Sequence, residues 1–359
     1  MQLQKIEINN FRGIHKAEIE GFKQLNFFIG KNNACKTSVL EAIFLCAGIN
    51  NPALPIRINR FRHISIFEED NIRFLFYNLD YQNRPFLTTF FNEKEHRRTL
   101  KINPHENVGN INAFQKQKFD ETAFDTQLDP PQIDGLILNT TIKERHKRLQ
   151  EYQSTLVLTD GFFMPTYPKN YKEPLSAIFI SPTTEMPNLD KRLEKLIVEK
   201  AQQPIVQALK NIDSNIQNIS LGTDGMIYFD IGLPRLIPIN LAGDGIKRIL
   251  SLLVTISDNK NSIVLIDEID NGLHFSSQAT LLKALMQAAK SYNVQIFATT
   301  HNYETLRKLQ EVLADESMET CQNDVKTFTL RKLKDNVVKA YAYDYEALDY
   351  ILEQSIEIR

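Results

Sequence analysis

The sequence predicts an α/β fold: a mixed, largely parallel core sheet with an antiparallel β subdomain and a helical lobe. Three stretches carry that prediction. Phe27–Leu40 (FFIGKNNACKTSVL) runs from apolar residues through Gly30 and a short polar loop into an amphipathic helix opened by Lys36 and Thr37. Ile263–Ile266 is an unbroken apolar run, as in a strand buried on both faces, and it ends in Asp267-Glu268. Gln295–Thr299 is a second such run, followed by Thr300-His301. The first stretch has the order of a phosphate-binding loop: backbone N–H groups and a helix N-terminus cradle phosphates, a lysine reaches the outer ones, and a hydroxyl takes Mg²⁺. One position departs from that pattern, with Cys35 standing where it has glycine.

Composition narrows the class. A chain of 359 residues has ample apolar content for one large domain or two. A formal charge of −2 removes any case from bulk charge for a polyanion binder, although a local basic patch stays open. Cys35, Cys46 and Cys321 show no metal spacing, and their odd number argues against a disulfide framework and fits a reducing cytoplasm. The N-terminal MQLQKIEINNFRG lacks a signal-peptide core, and no run approaches the ~18 apolar residues that span a bilayer, so no membrane partner is expected.

In chain order, residues 2–9, Ile14–Ile19 and Leu25–Ile29 read as strands. A helix over 37–47 buries Val39, Leu40, Ile43, Phe44 and Ala47, and Pro52 and Pro55 end it. Ile72–Tyr77, Phe86–Phe91 and Thr99–Ile102 read as short antiparallel strands. Arg57, Arg60, Arg62 and His63 form a basic cluster, either a solvated loop or a contact to phosphate or nucleic acid. Residues 103–175 are polar, carry Pro130-Pro131, and are expected as an insertion that is helical around 141–153. Lys143–Arg148 would then be a solvated helix face or a contact to an acidic partner. Ser176–Ser181 reads as a strand, and Asn188–Ile212 as two helices or one kinked at Pro204. Met226–Ile231 and Leu236–Ile239 suggest a hairpin leading into LAGDGIKRIL. The tail 325–359 suggests two strands, Val325–Arg331 and Val337–Tyr343, and a helix. The domain plan is an N-terminal half of the core over 1–102, an inserted, partly helical lobe over 103–212, and a C-terminal half over 213–359.

Asp267 and Glu268 fall at the C-terminal end of a buried strand, the edge at which open α/β sheets bind ligands. An aspartate there can hold a Mg²⁺ shell, and the next carboxylate can act as base on an attacking water; two acids at a solvated strand end is the plainer reading. His301 is placed to hydrogen-bond a terminal phosphate or to serve structure alone. Gly243 and Gly245 at a helix N-terminus form a second anion site. One chain hardly needs two such sites for a single triphosphate, whereas a two-fold dimer uses both.

In order, EINNFRGI, GKNNACKT, the strand pair around FLFYNLD, LAGDGIKRIL, LIDEIDNGLH and ATTHN resemble the ABC-type ATPase heads of the SMC, RecF and OLD-like group. Within it, the chain is most similar to stand-alone bacterial ATPases classed with AAA families and associated with phage defence. The resemblance is weakest over 103–175. It implies a P-loop NTPase of ABC/SMC-head type that takes ATP and Mg²⁺. Position by position, Lys36 would bind the β/γ-phosphates, Thr37 and Asp267 the metal, Glu268 would be the general base, and His301 the switch histidine. Arg12 and the loop residues Gly30, Asn32, Asn33, Ala34, Cys35 and Ser38 would lie around the nucleotide. Gly243, Asp244 and Gly245 would form a signature motif that meets the γ-phosphate held by a second copy, with Asp270, Gly272 and His274 in the dimer-facing loop.

There are departures. Ala242 and Asp244 replace the Ser and second Gly of transporter-type heads, and Gln82 is a poor candidate for a glutamine loop. The lack of a long heptad run argues against an SMC-like rod. A TOPRIM nuclease domain is not expected, because the chain ends soon after His301. The resulting reading is a cytoplasmic, homodimerising ATP switch that controls a separate effector protein in a bacterial defence or toxin–antitoxin-like system. The alternatives are a DNA-engaging repair ATPase and a non-hydrolysing ATP sensor or scaffold, the latter favoured by Cys35. If Cys35 sits at φ < 0 its small side chain can be tolerated and binding kept; it is then either a tolerated variant of the loop or a thiol at a helix N-terminus whose ionisation or oxidation tunes ATP binding.

Overall fold

Strands β1 (Leu3–Phe11), β2 (Ile14–Glu20) and β3 (Leu25–Ile29) come first, and the phosphate loop joins β3 to α1 (Lys36–Ala47) and α2 (Leu54–Phe61). An antiparallel arm follows: β4 (Phe86–Phe91), β5 (His96–Asn107), β6 (Gln132–Glu144), β7 (Gln150–Thr159) and β8 (Phe162–Thr166). Next are β9 (Ala177–Ile180), α3 (Leu189–Val198) and α4 (Gln203–Lys210), then a small sheet of β10 (Asn218–Leu221), β11 (Ile227–Asp230) and β12 (Ile237–Pro238). The second half of the core holds α5 (Asp244–Asp258), β13 (Ile263–Ile266), α6 (Phe275–Tyr292), β14 (Gln295–Thr299) and α7 (Tyr303–Ala314). It ends with α8 (Glu319–Gln322), β15 (Val325–Lys332), β16 (Val337–Tyr343) and α9 (Tyr345–Glu353). This is a computed structural model, and it describes residues 1–64, 69–92, 96–107, 132–159, 161–182 and 188–354.

Among the described residues, thirteen strands join in one sheet of order β8-β7-β6-β5-β4-β1-β2-β16-β15-β3-β14-β13-β9. The run β15-β3-β14-β13-β9 is parallel throughout. From β1 to β8 the pairing is antiparallel. The core is therefore one mixed sheet, parallel where the nucleotide motifs stand and antiparallel beyond.

Strand periodicity sorts the apolar residues onto two faces. Leu25, Phe27 and Ile29 of β3, with Val264, Ile266, Ile296 and Ala298, pack against α3 to α7. Phe28, Ile263, Leu265 and Phe297 point the other way, onto α1 and the antiparallel strands. On that second face α1 is buried along nearly its whole length, from Ser38 to Ala47. A helix so enclosed has C-terminal carbonyls that water cannot reach. Arg98 of β5, itself fully buried, supplies the donors: its Nη1 donates to the carbonyls of Cys46 at 3.2 Å and Ala47 at 3.4 Å. Its Nη2 donates to the Tyr171 hydroxyl and pairs with Glu173 at 2.5 Å.

Two expectations change, and one open alternative closes. Ile72–Tyr77 is not a strand: 3₁₀ turns occupy Glu69–Leu75 and Tyr77–Leu79, and Phe76 alone bridges Phe11. The paired strand is β1, whose free edge β4 already fills. Residues around 141–153 are not helical either. They form the ends of β6 and β7, paired from Gly135↔Val157 to Ile142↔Gln150. β-Branched Thr140, Thr141 and Ile142 fit that ladder, and the charged run Lys143–Arg148 crosses the hairpin tip, where Lys147 pairs with Glu144. Asn188–Ile212 resolves into two helices, with Pro204 in the first turn of α4, where its missing N–H costs nothing. The expected boundary after residue 102 falls inside β5, and Pro130-Pro131 lies outside the described residues.

Arg98→Ala leaves Glu173 without its cation and two helix-end carbonyls without donors. It should cost about 3 kcal/mol, read as a melting temperature several degrees below wild type. An unchanged melting temperature would remove Arg98 from its capping role.

Candidate functional site

Gly30 ends β3 at φ +150°, and a Cβ there would stand 2.5 Å from the Leu330 carbonyl oxygen of β15. The glycine is required by that backbone contact as well as by the loop. Beyond it, Asn33 and Cys35 both adopt left-handed backbone, at φ 67° and 65°. Cys35 is the N-cap of α1, so it occupies the conformation that glycine adopts freely and an L residue holds at a cost. The condition for unstrained tolerance, φ < 0, is therefore not met. The thiol also fails to ionise readily: burial pushes its pKa up despite nearby Lys332, Arg62 and Lys36.

Lys36 Nζ folds back to donate to the carbonyls of Gly30 at 2.8 Å and Lys31 at 3.1 Å. Burial lowers its pKa, against the pull of Asp267, Glu268 and Asp270. One residue on, Thr37 Oγ1 donates to Asp267, 3.1 Å from Oδ1 and 3.0 Å from Oδ2. Adjacent parallel strands bring these residues together, since β3, β14 and β13 deliver their C-terminal ends to the same edge. Thr299, the last residue of β14, donates to Asp267 Oδ1 at 2.6 Å and accepts from the Glu268 N–H at 2.8 Å. That second bond holds Glu268 at φ 49°, a strained backbone for a non-glycine residue and of the kind that collects at functional sites.

A buried ion cluster backs the loop. Glu41, fully buried on α1, pairs with Arg12 Nε at 2.6 Å and with Arg62 Nε at 2.8 Å. Arg12 Nη2 also donates to Asn59 on α2 at 3.1 Å, and Arg62 Nη2 donates to Ser38 Oγ at 3.2 Å. Burial brings the Arg12 pKa down to about 10, against the attraction of Glu41. For Arg62 burial pulls the same way, but the Glu41 hydrogen bonds win and leave its pKa above the ordinary value. Arg62 therefore commits its guanidinium to Glu41 and Ser38 although, like Arg57 and Arg60, it is exposed.

These groups line one cleft of 860 Å³: Arg12, Asn32 to Ser38, Arg62, Asp267, Glu268, Thr299, His301 and Lys332. Gly30 lies beneath the loop. Gly243, Asp244 and Gly245 do not reach the cleft; they stand at the start of α5, with Gly243 and Asp244 exposed. A Cβ on Gly245 would lie 3.6 Å from the Gly272 carbonyl oxygen and from Leu273, so the glycine pair borders the loop after Glu268. Sequence reasoning missed Glu41, Thr299 and Lys332. A charged residue on the buried face of the 37–47 helix was the one available signal, and it pointed to Glu41.

Thr37 and Asp267 present hydroxyl and carboxylate oxygens side by side, a donor set that suits a hard divalent cation. A family model described as "AAA domain, putative AbiEii toxin, Type IV TA system" matches residues 25–307, which takes in the phosphate loop, Asp267-Glu268 and His301. The chain belongs to this AAA family. This AAA chain is 25% identical over 387 residues to an ATP/GTP phosphatase of Helicobacter pylori, covering 98% of both proteins. Over 44 residues it is 50% identical to the DNA replication and repair protein RecF of Glaesserella parasuis, 12% of each. An SMC head bound to the C-winged helix domain of ScpA aligns over 98% of this chain and all of its own, at 12% identity and a TM-score of 0.49. The AAA chain is thus a P-loop α/β protein whose family match spans the phosphate loop and both strand-end motifs. No described helix is long and apolar enough to cross a membrane.

Two substitutions test the local geometry. Thr299→Val keeps the shape of the side chain but releases Asp267 and Glu268. ATP turnover should fall at least ~10-fold with nucleotide affinity kept, and unchanged turnover would free Thr299 from that role. Cys35→Gly relieves the left-handed strain and should raise the melting temperature by about 1–3 °C. A lower melting temperature would mean that thiol packing outweighs the strain.

Proposed function

We propose that the chain is an ATP-hydrolysing switch whose two copies close around two Mg-ATP molecules. The observation that carries this reading is a division of parts. Lys36, Thr37, Asp267, Glu268 and His301 share one cleft, while the glycine-bearing start of α5 faces solvent beside the loop after Glu268. Leu241 and Phe275, 76% and 53% exposed, flank that surface and suit burial against a second copy.

In this reading Lys36 exchanges the Gly30 and Lys31 carbonyls for β/γ-phosphate oxygens, and the N–H groups of the α1 start take the rest of the phosphate charge. Thr37 and Asp267 would hold Mg²⁺, which supplies charge neutralisation on the phosphate oxygens. Glu268 accepts a proton from water as that water attacks the γ-phosphorus; the bond to the β-bridging oxygen breaks, and ADP and phosphate leave. His301 hydrogen-bonds the γ-phosphate. The helicobacterial relative's name, ATP/GTP phosphatase, supports hydrolysis as the reaction. The separate effector in a defence or toxin–antitoxin-like system stays part of the same proposal. It is supported by the family description, with its toxin and type IV system.

DNA engagement loses support, because Arg62 is committed to Glu41 and Ser38. A non-hydrolysing sensor is separated by the same experiment that tests the switch. Glu268→Gln should lower ATP turnover by about 100-fold or more, and in saturating Mg-ATP it should sediment as a dimer. Equal, negligible turnover in wild type and variant would favour the sensor. A variant that stays monomeric would contradict the clamp.

A further inference from the structure

Sheet order gives the cleft two ends. The phosphate loop follows β3, and Asp267 and Glu268 follow β13 on one side of it. The β15–β16 connection and the β1–β2 turn reach the same edge on the other side. A triphosphate with its terminal phosphate at Glu268 and its middle on the phosphate loop therefore leaves its nucleoside at the β15–β16 end.

Two segments of the chain line that end. One carries Phe74 and Leu79 and lies against β1, where Phe76 bridges Phe11. The other is the β15–β16 connection, with Lys332 and Asn336. Each holds a consecutive pair of left-handed, non-glycine residues: Asn78 and Leu79 at φ 54° and 58°, and Asp335 and Asn336 at φ 58° and 57°. Asn and Asp tolerate that conformation, whereas a bulky leucine is an outlier there. The two turns are tied together, because Asn336 Nδ2 donates to the Tyr77 hydroxyl at 2.8 Å. The Tyr77 ring in turn stacks on His15 of β2, with centroids 5.2 Å apart.

The strain is not repaid by burial within the chain. Leu79 is 50% exposed and Phe74 39%, although both line the cleft. Backbone strain of this kind collects at ligand clamps, where the surroundings over-determine it. Apolar side chains left open on a cleft wall suit an apolar ligand face.

We propose, resting on the nucleotide reading above, that these tied turns clamp the base of the nucleotide and select purines. Leu79 and Phe74 cover the ring face. A two-ring purine buries more apolar surface against them than a one-ring pyrimidine does. Selection by ring area is indifferent to the polar edge of the base, so adenine and guanine are both accepted.

The test titrates the full chain with Mg²⁺ by calorimetry, using the β,γ-imido analogues of ATP, GTP and CTP, and inorganic tripolyphosphate. The ATP and GTP analogues should each bind at least ~10-fold more tightly than the CTP analogue. Leu79→Gly removes one wall and eases its own backbone, so the fold is kept. In this variant the purine preference should shrink to about 3-fold or less. Phe74→Ala should do the same, and it decides the matter if Leu79→Gly does not fold. A CTP analogue bound as tightly as either purine, or a preference unchanged in either folded variant, would overturn the proposal and leave the nucleotide reading standing. Failure of the ATP analogue and tripolyphosphate alike to bind would overturn both.

Discussion

The hydrogen bond between Thr37 and Asp267 joins groups 230 residues apart, and the architecture exists to make it. It requires β3 and β13 to end at the same edge with only β14 between them. Each of the three strands is buried on both faces, which is why each reads as an apolar run. The middle strand contributes as well. Thr299 ends β14 between the other two strands and ties Asp267 and Glu268 with one hydroxyl. Positioning on strand ends gives these groups more precision than loops would.

The second constraint is α1, a helix with almost no solvent-facing side. Its polar needs are met from within the protein at three points. The N-terminal turn opens into the cleft, Glu41 in the middle pairs with both Arg12 and Arg62, and Arg98 closes the C-terminal carbonyls. The dipole of the helix places its positive end toward the phosphates and its negative end on a guanidinium. Through Arg12 the same cluster ties the β1–β2 turn to α2, and through Arg62 it ties the end of α2 to the phosphate loop. The cleft is therefore rigid on the side where the phosphates are expected.

The parts of this plan with a local cause were legible in the sequence. β3, β13 and β14 could be read from unbroken apolar runs, α1 from its spacing after Lys36, and the Pro204 break from the missing N–H. What could not be read depends on partners far along the chain. Ile72–Tyr77 has a strand's composition, but β1 pairs with β4 instead. The 141–153 segment has a helix's charges, which in fact mark a hairpin tip between long strands. The pairing of Glu41 with two arginines is set by packing alone. The conformation of Cys35 is fixed by the loop around it, so a residue judged tolerable at negative φ sits at +65°.

The central claim is that the cleft between the phosphate loop and Asp267-Glu268 binds a Mg-nucleotide. A crystal structure with Mg²⁺ and a non-hydrolysable ATP analogue measures it directly. The account predicts phosphate oxygens on Lys36 and the α1 N-terminus, with the metal between Thr37 and Asp267. Nucleotide bound elsewhere, or an analogue in the cleft whose metal does not touch Thr37 or Asp267, would contradict it.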